Sequence, residues 1–359
     1  MSSLLFPTRL TLVSVACVLG IVFASSPSMS CSTFSYVDSG HAFVGKSYDW
    51  DKEQGLVHVN KRHVNKSALQ VFPTDKPLSW TSKYGSVTLN QYGRELPNAG
   101  MNEAGVVVEV MVLGGSKFPA ADEKPSVNES QWVQYMLDMA GSVDDVVKLT
   151  EQVRLAKILI PLHYMACDKS GACVAVEPIG GELVVTDLAS KGNKVLTNDA
   201  YARAMEYLKN YSGFGGSKPI PTGRGSLDRF VIASDHIKKA SNFVASDAVK
   251  FGFEGIEQVA SSATKWRVVY DLDQARVHFA TKTAPTKKSA ELAAFDFDCR
   301  HAVKVYDLAS TESGDVSRQF KDYSSESNSE LVRSSLGGSV PEALIQAAIS
   351  LPESTECAD

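Results

Sequence analysis

The chain has 359 residues, 44% hydrophobic and 21% charged, which supplies a sizeable core and excludes a compositionally disordered chain. Lys and Arg number 36 against 41 Asp and Glu, and the net charge of −5 gives no reason to expect nucleic acid as a partner.

Residues 1–30 stand apart. Arg9 is their only charge, residues 10–24 are an apolar run, and Ser28 and Ser30 put small side chains just ahead of Cys31. This is the pattern of a secretory signal cut before Cys31, which makes the mature protein secreted or periplasmic and leaves residues 31–359 as a single domain. A membrane anchor would need about 20 apolar residues. A lipoprotein, with Cys31 acylated, is the other reading, but Ser28 stands where such signals carry a Leu-like residue.

Residues 31–37 and 42–48 are strand-like, joined by Asp38-Ser39-Gly40-His41, a hairpin signal. Strand-like runs follow at 55–60, 86–90 and 106–113, the last apolar enough for burial on both faces. Residues 129–153 predict two helices. Trp132, Tyr135, Met136 and Met139 share one helical face, and Ser142 with Asp145 marks the cap of the second helix. Strands return at 159–186 around a turn at 178–181. Helical signals lie at 200–209 and 226–240, and hairpin patterns at 266–281 and 294–307. The Ser/Glu-rich stretch 324–330 reads as polar, and a last helix is expected at 341–350. No internal repeat is visible. Strands, then helices, then strands imply an α+β layered fold.

Cys17 leaves with the signal. Cys167 and Cys173 flank a turn-like Asp-Lys-Ser-Gly-Ala and make a plausible hairpin staple, with Cys299–Cys357 a possible second bridge, although four cysteines allow three connectivities. Cys31 is then the odd thiol, a candidate reactive group. Asn65, Asn128 and Asn210 head glycosylation sequons, which matter only in a eukaryotic secretory host.

Residues 40–47 match the nucleotide-binding pattern G-x-x-x-x-G-K-[ST], and 266–271 could pass for its acidic strand. That loop must follow a strand and open a helix, whereas here it falls inside a hairpin, so no nucleotide is expected. An N-terminal cysteine offers different chemistry. Its own α-amine, with an ordinary pKa of about 7.7–8.0, can take the thiol proton near neutral pH. Such a site needs a carboxylate to orient the amine, donors for an oxyanion and a cation that favours thiolate.

Cys31-Ser-Thr-Phe followed by Gly45-Lys-Ser-Tyr-Asp49-Trp50 resembles the choloylglycine hydrolase family of linear-amide hydrolases, which are N-terminal-nucleophile hydrolases. Trp80–Val87, Met101-Asn-Glu-Ala-Gly105, Val195-Leu-Thr-Asn198 and Asp228-Arg-Phe230 extend the likeness in order, over roughly residues 31–325. Residues 326–359 are a C-terminal extension. The resemblance implies a four-layer αββα sandwich, no metal and no organic cofactor, a small-molecule N-acyl amide substrate, and assembly as a homotetramer. Substrates of bile-salt, penicillin V, N-acyl amine or N-acyl homoserine lactone type are implied. Cys31 would be nucleophile and base, Asp49 would hold the α-amine, Asn198 would face the oxyanion, and Arg229 would favour thiolate. Thr197 and Asn102 read as structural.

Two positions depart from the family. Lys46 replaces the usual Arg, keeping the charge without the planar fork of donors. Val112 replaces a polar or aromatic side chain beside the oxyanion. A binding protein without turnover, soluble or lipid-anchored, is the rival reading that these two departures favour.

Overall fold

The computed structural model describes residues 30–70, 75–240 and 245–358. The expected signal segment and Cys17 lie outside these described residues. Two antiparallel-rich sheets, of seven and nine strands, are stacked between layers of helix. This is the expected αββα sandwich.

The first sheet is built on the hairpin of β1 (Ser32–Asp38) and β2 (His41–Asp49), with Thr33 opposite Lys46 and Phe34 opposite Gly45. Asp38 and His41 close the ladder over a turn in which Ser39 and Gly40 both have positive φ. At Gly45 a Cβ would come within 2.5 Å of the Phe34 ring, so only glycine lets the two strands pair around that phenyl group. Strand Thr264–Asp271 flanks β2, and Val195–Leu196 flanks β1. His41–Asp49 is one continuous strand, so the helix that a phosphate-binding loop would need after Ser47 is not there.

The second sheet carries Val107–Val112 near its middle, paired to Ala99–Asn102 and Leu162–Cys167. Its alternation shows burial on both faces. Val107 and Met111 join the core shared with the first sheet, while Val106, Val108 and Val110 pack under α1 (Gln131–Met139) and α2 (Val143–Gln152). Trp132, Val133, Met136 and Leu137 are fully buried there, each worth about 1.5–3 kcal/mol by removal from water. Ser142 caps α2 by accepting from the Asp145 N–H, as expected from the sequence. Helices α4 (Ser226–Ile237) and α5 (Ala245–Val259) cover the outer face of the first sheet through Phe230, Ala233 and Ile256, and α3 (Tyr201–Leu208) packs against α4.

The structure corrects one expectation and adds two helices that the sequence pattern did not show. Residues 294–307 are not a hairpin: a short 3-10 turn at Leu292–Ala294 leads to strand Lys304–Asp307, which joins the second sheet beside Leu56–Asn60. Helix α5 was not anticipated. The polar stretch 324–330 forms the cap and first turns of α6 (Ser325–Leu336), which packs with α7 (Glu342–Ser350) around Val332, Leu336, Ile345 and Ala348. Cys167 bonds Cys173 across its hairpin, and Cys299 bonds Cys357. Cys31 is the free thiol among the described residues.

Candidate active site

Cys31 stands at the head of β1, 2% exposed, and lines a narrow cavity of about 20 Å³ with Tyr48, Trp50, Tyr92, Val112 and Ile160. The hairpin register brings the end of β2 beside it. The Asp49 N–H points to Cys31 Sγ at 3.4 Å, and Sγ lies 3.7 Å from the Asp49 carbonyl.

The Asp49 carboxylate is fully buried and heavily solvated by hydroxyls. It accepts from Ser47 Oγ at 2.6 Å, Thr264 Oγ1 at 2.8 Å and Ser261 Oγ at 3.2 Å. Such charge-assisted bonds let a carboxylate sit inside a protein. None of these three hydroxyls was singled out from the sequence, although Ser47 stands two residues before Asp49.

Arg229 reaches in from the first turn of α4 and is only 1% exposed. Its Nη1 donates to the Cys31 carbonyl at 2.7 Å and to Ser32 Oγ at 2.5 Å; its Nη2 donates to Asn198 Oδ1 at 2.9 Å. That last bond fixes the Asn198 amide. Its Nδ2 then faces the cavity wall and donates one hydrogen to the Val112 carbonyl at 2.9 Å, leaving the second for another acceptor. Thr197 anchors the turn by contacts to Ser226, and Asn102 pins a turn to the end of α1 through Leu137 and Ala140, so both are structural.

Lys46 does not point to solvent. Its ammonium lies between the sheets, 3.4 Å from the Glu109 carboxylate and 3.3 Å from Thr33 Oγ1, and it donates to the Val110 carbonyl. Tyr270 donates to the other Glu109 oxygen at 2.8 Å. Lys46 therefore acts on the thiol through its field, with no bond to it. A lone acid in the apolar run 106–113 was the available sign of this pair. Burial pushes the Glu109 carboxyl up, and Lys46 opposes that rise.

The electrostatics at Cys31 have a clear order. Burial pushes the thiol above its ordinary value; the Lys46 charge opposes this most; Asp49 adds to the rise; and the Asp49 N–H and the Arg229 charge oppose it. No histidine is among these groups.

Beneath Asn198 lies a second buried pair. His163 Nε2 meets the Thr197 carbonyl at 2.7 Å, and its Nδ1 lies 3.1 Å from Glu177, which also accepts from the Tyr201 N–H. Because a carbonyl only accepts, Nε2 carries a hydrogen. The pair locks the 197–201 turn that presents Asn198.

A free cysteine at the head of a central hairpin, set in a two-sheet sandwich, defines the N-terminal-nucleophile hydrolase fold. The model of the linear amide C–N hydrolases, choloylglycine hydrolase family, matches residues 31–230, and the chain belongs to that family. A penicillin V acylase of Pectobacterium atrosepticum is 26% identical over 363 residues, covering 86% of this chain and 95% of the relative. The structure of penicillin V acylase from Agrobacterium tumefaciens superposes with a TM-score of 0.73 at 26% identity, covering 82% of this chain and 98% of that one. A mutant conjugated bile acid hydrolase from Clostridium perfringens shares the fold, with a TM-score of 0.64 at 14% identity over 77% of this chain and 96% of the other. The protein is an amidase acting on linear amides.

Proposed function

We propose that the protein is exported, that removal of residues 1–30 exposes Cys31 as the N-terminal residue, and that this cysteine cleaves small-molecule N-acyl amides. The observation that carries the reading is the setting of the thiol. It is buried at the head of β1 beside Asp49, and burial holds its acidity down, so a base adjacent to it favours thiolate. The α-amine freed by cleavage is that base. Ser30 is itself buried against the site, so its removal also opens room beside the nucleophile.

The α-amine takes the thiol proton as Sγ attacks the acyl carbon. Asn198 Nδ2 and a backbone N–H receive the oxyanion. As the C–N bond breaks, the α-ammonium returns the proton to the leaving amine. Water then attacks the thioester, giving up a proton to the α-amine, and the carboxylic acid leaves as the thiol re-forms. Asp49 holds the amine, and Arg229 holds Cys31 and Asn198 in register. The named relatives support substrates of the penicillin V or conjugated bile-acid kind, with N-acyl amines or N-acyl homoserine lactones of the same bond type.

The test joins mass and activity. The active protein should begin Cys-Ser-Thr-Phe, and Cys31→Ala should abolish amine release while keeping its melting temperature. Active protein that retains upstream residues, or a diacylglycerol adduct on Cys31, would overturn the mechanism.

A further inference from the structure

Behind the nucleophile's cavity lies a second chamber of about 50 Å³, walled by Leu96, Leu159 and Ile160 on one side and by Leu336, Leu344 and Ala348 of α6 and α7 on the other. Tyr92, Ser130 and Ile160 line both chambers, so the two share a wall. Two of its polar side chains, Glu129 and Asn128, are occupied by backbone groups. The Glu129 carboxylate accepts from the Ile158, Leu159 and Ile160 N–H groups, and the Asn128 oxygen accepts from the Ser130 and Gln131 N–H groups. Leu159 at its rim is 40% exposed, so the pocket opens to solvent, and its apolar lining favours an apolar group over a polar one.

The segment that closes this chamber is held beside the site. Lys52, three residues past Asp49, donates to the Ser334 and Ser335 carbonyls in the last turn of α6. Asn328 of α6 accepts from the Arg94 N–H, two residues from Tyr92.

We propose that this chamber is a distal subsite for the apolar end, alkyl or aryl, of the acyl group attacked by Cys31, with Leu344 of α7 setting its depth. The proposal rests on the hydrolase reading above. An acyl group bound at the thiol would pass Tyr92 and Ile160 and bury its far end against α6 and α7. The amine half of the substrate would lie on the other side of the scissile bond and leave toward solvent.

The test is a series of amides of one fixed amine, from acetyl to dodecanoyl, given to enzyme purified from expression of the full chain. The readout is the ratio of kcat/KM between long and short acyl groups. Leu344 is half-buried, so a larger side chain there can fill the chamber without breaking the core. Leu344→Trp should lower the long-to-short ratio by about tenfold or more, the scale on which apolar pockets discriminate. Leu344→Ala should move the optimum to longer or bulkier acyl groups. Parallel changes at every chain length, with unchanged melting, would overturn the subsite and leave the hydrolase reading standing. Amine release by none of the series would instead sink the hydrolase reading itself, and the subsite with it.

Discussion

The wall around the Cys31 thiol and the chamber behind it are built on opposite principles. Around the thiol, charged groups are buried and almost every one is tied to a named partner: Asp49 to three hydroxyls, Arg229 to Cys31, Ser32 and Asn198, and Lys46 to Glu109. The chamber behind is lined chiefly by leucine and isoleucine side chains. Hydrogen bonds fix direction, whereas apolar contact fixes only volume. The first region can hold reacting atoms in place, and the second can change its guest without disturbing them.

The hardest blow to this contrast is a break in the buried ion pair. Lys46→Met leaves Glu109 unpaired between the sheets, and loss of one partner costs about 3–5 kcal/mol of stability. Denaturant unfolding should show this loss, and adding Glu109→Gln should restore much of it. Because Lys46 opposes the rise in the thiol's pKa, its removal should also move the acidic limb of the rate profile to higher pH. Lys46→Arg keeps the charge and should keep the profile. An unchanged profile in Lys46→Met would take Lys46 out of the catalytic set.

A rate effect comes next. Asn198→Ala removes the Nδ2 donor proposed above for the oxyanion, and kcat should fall about 100- to 1,000-fold, with KM changed far less. A loss confined to KM would assign Asn198 to substrate binding alone.

A pH effect on stability follows. His58 is fully buried, its ring 6.3 Å from Tyr323, over which Arg94 is stacked. Burial first, and the Arg94 charge second, push its pKa down to about 3. Between an unfolded value of about 6.5 and that folded value, the unfolded chain binds a proton that the folded chain refuses. Stability is therefore present above about pH 6.5 and falls as acid is added, at up to about 1.4 kcal/mol per pH unit from this group. His58→Leu should flatten that part of the stability curve. An unchanged slope would show that His58 is not the proton-binding group.

Legibility followed the range of the signal. The β1–β2 hairpin, the Ser142 cap and the Cys167–Cys173 bridge are local patterns, and each is where the sequence places it. The family likeness brought Cys31, Asp49, Asn198 and Arg229 together from distant segments, and they do converge. Helix α5 was hidden by its own packing. Gly252 and Gly255 weaken its helical signal, yet a Cβ at either would come within 2.6 Å of Tyr36 or 2.5 Å of His236. In α6, Ser and Glu side chains masked a face that buries Leu331, Val332 and Leu336. Glu109, His163 and Glu177 each stand as a polar residue in an apolar strand. Their partners lie on other strands, which no period along one strand reveals.

Strand Glu356–Cys357 pairs with Val64–Ser67, and the Cys299–Cys357 bridge locks it there. These strands leave the ribosome at opposite ends of synthesis. The clasp can shut only after α6 and α7 have been made, so the back wall of the chamber is installed last. A stop codon just before α6 would remove more than a tail. It would leave the hairpin and its thiol in the sequence, but with Leu96 and Tyr92 stripped of their cover and the enzyme's discriminating surface open to water.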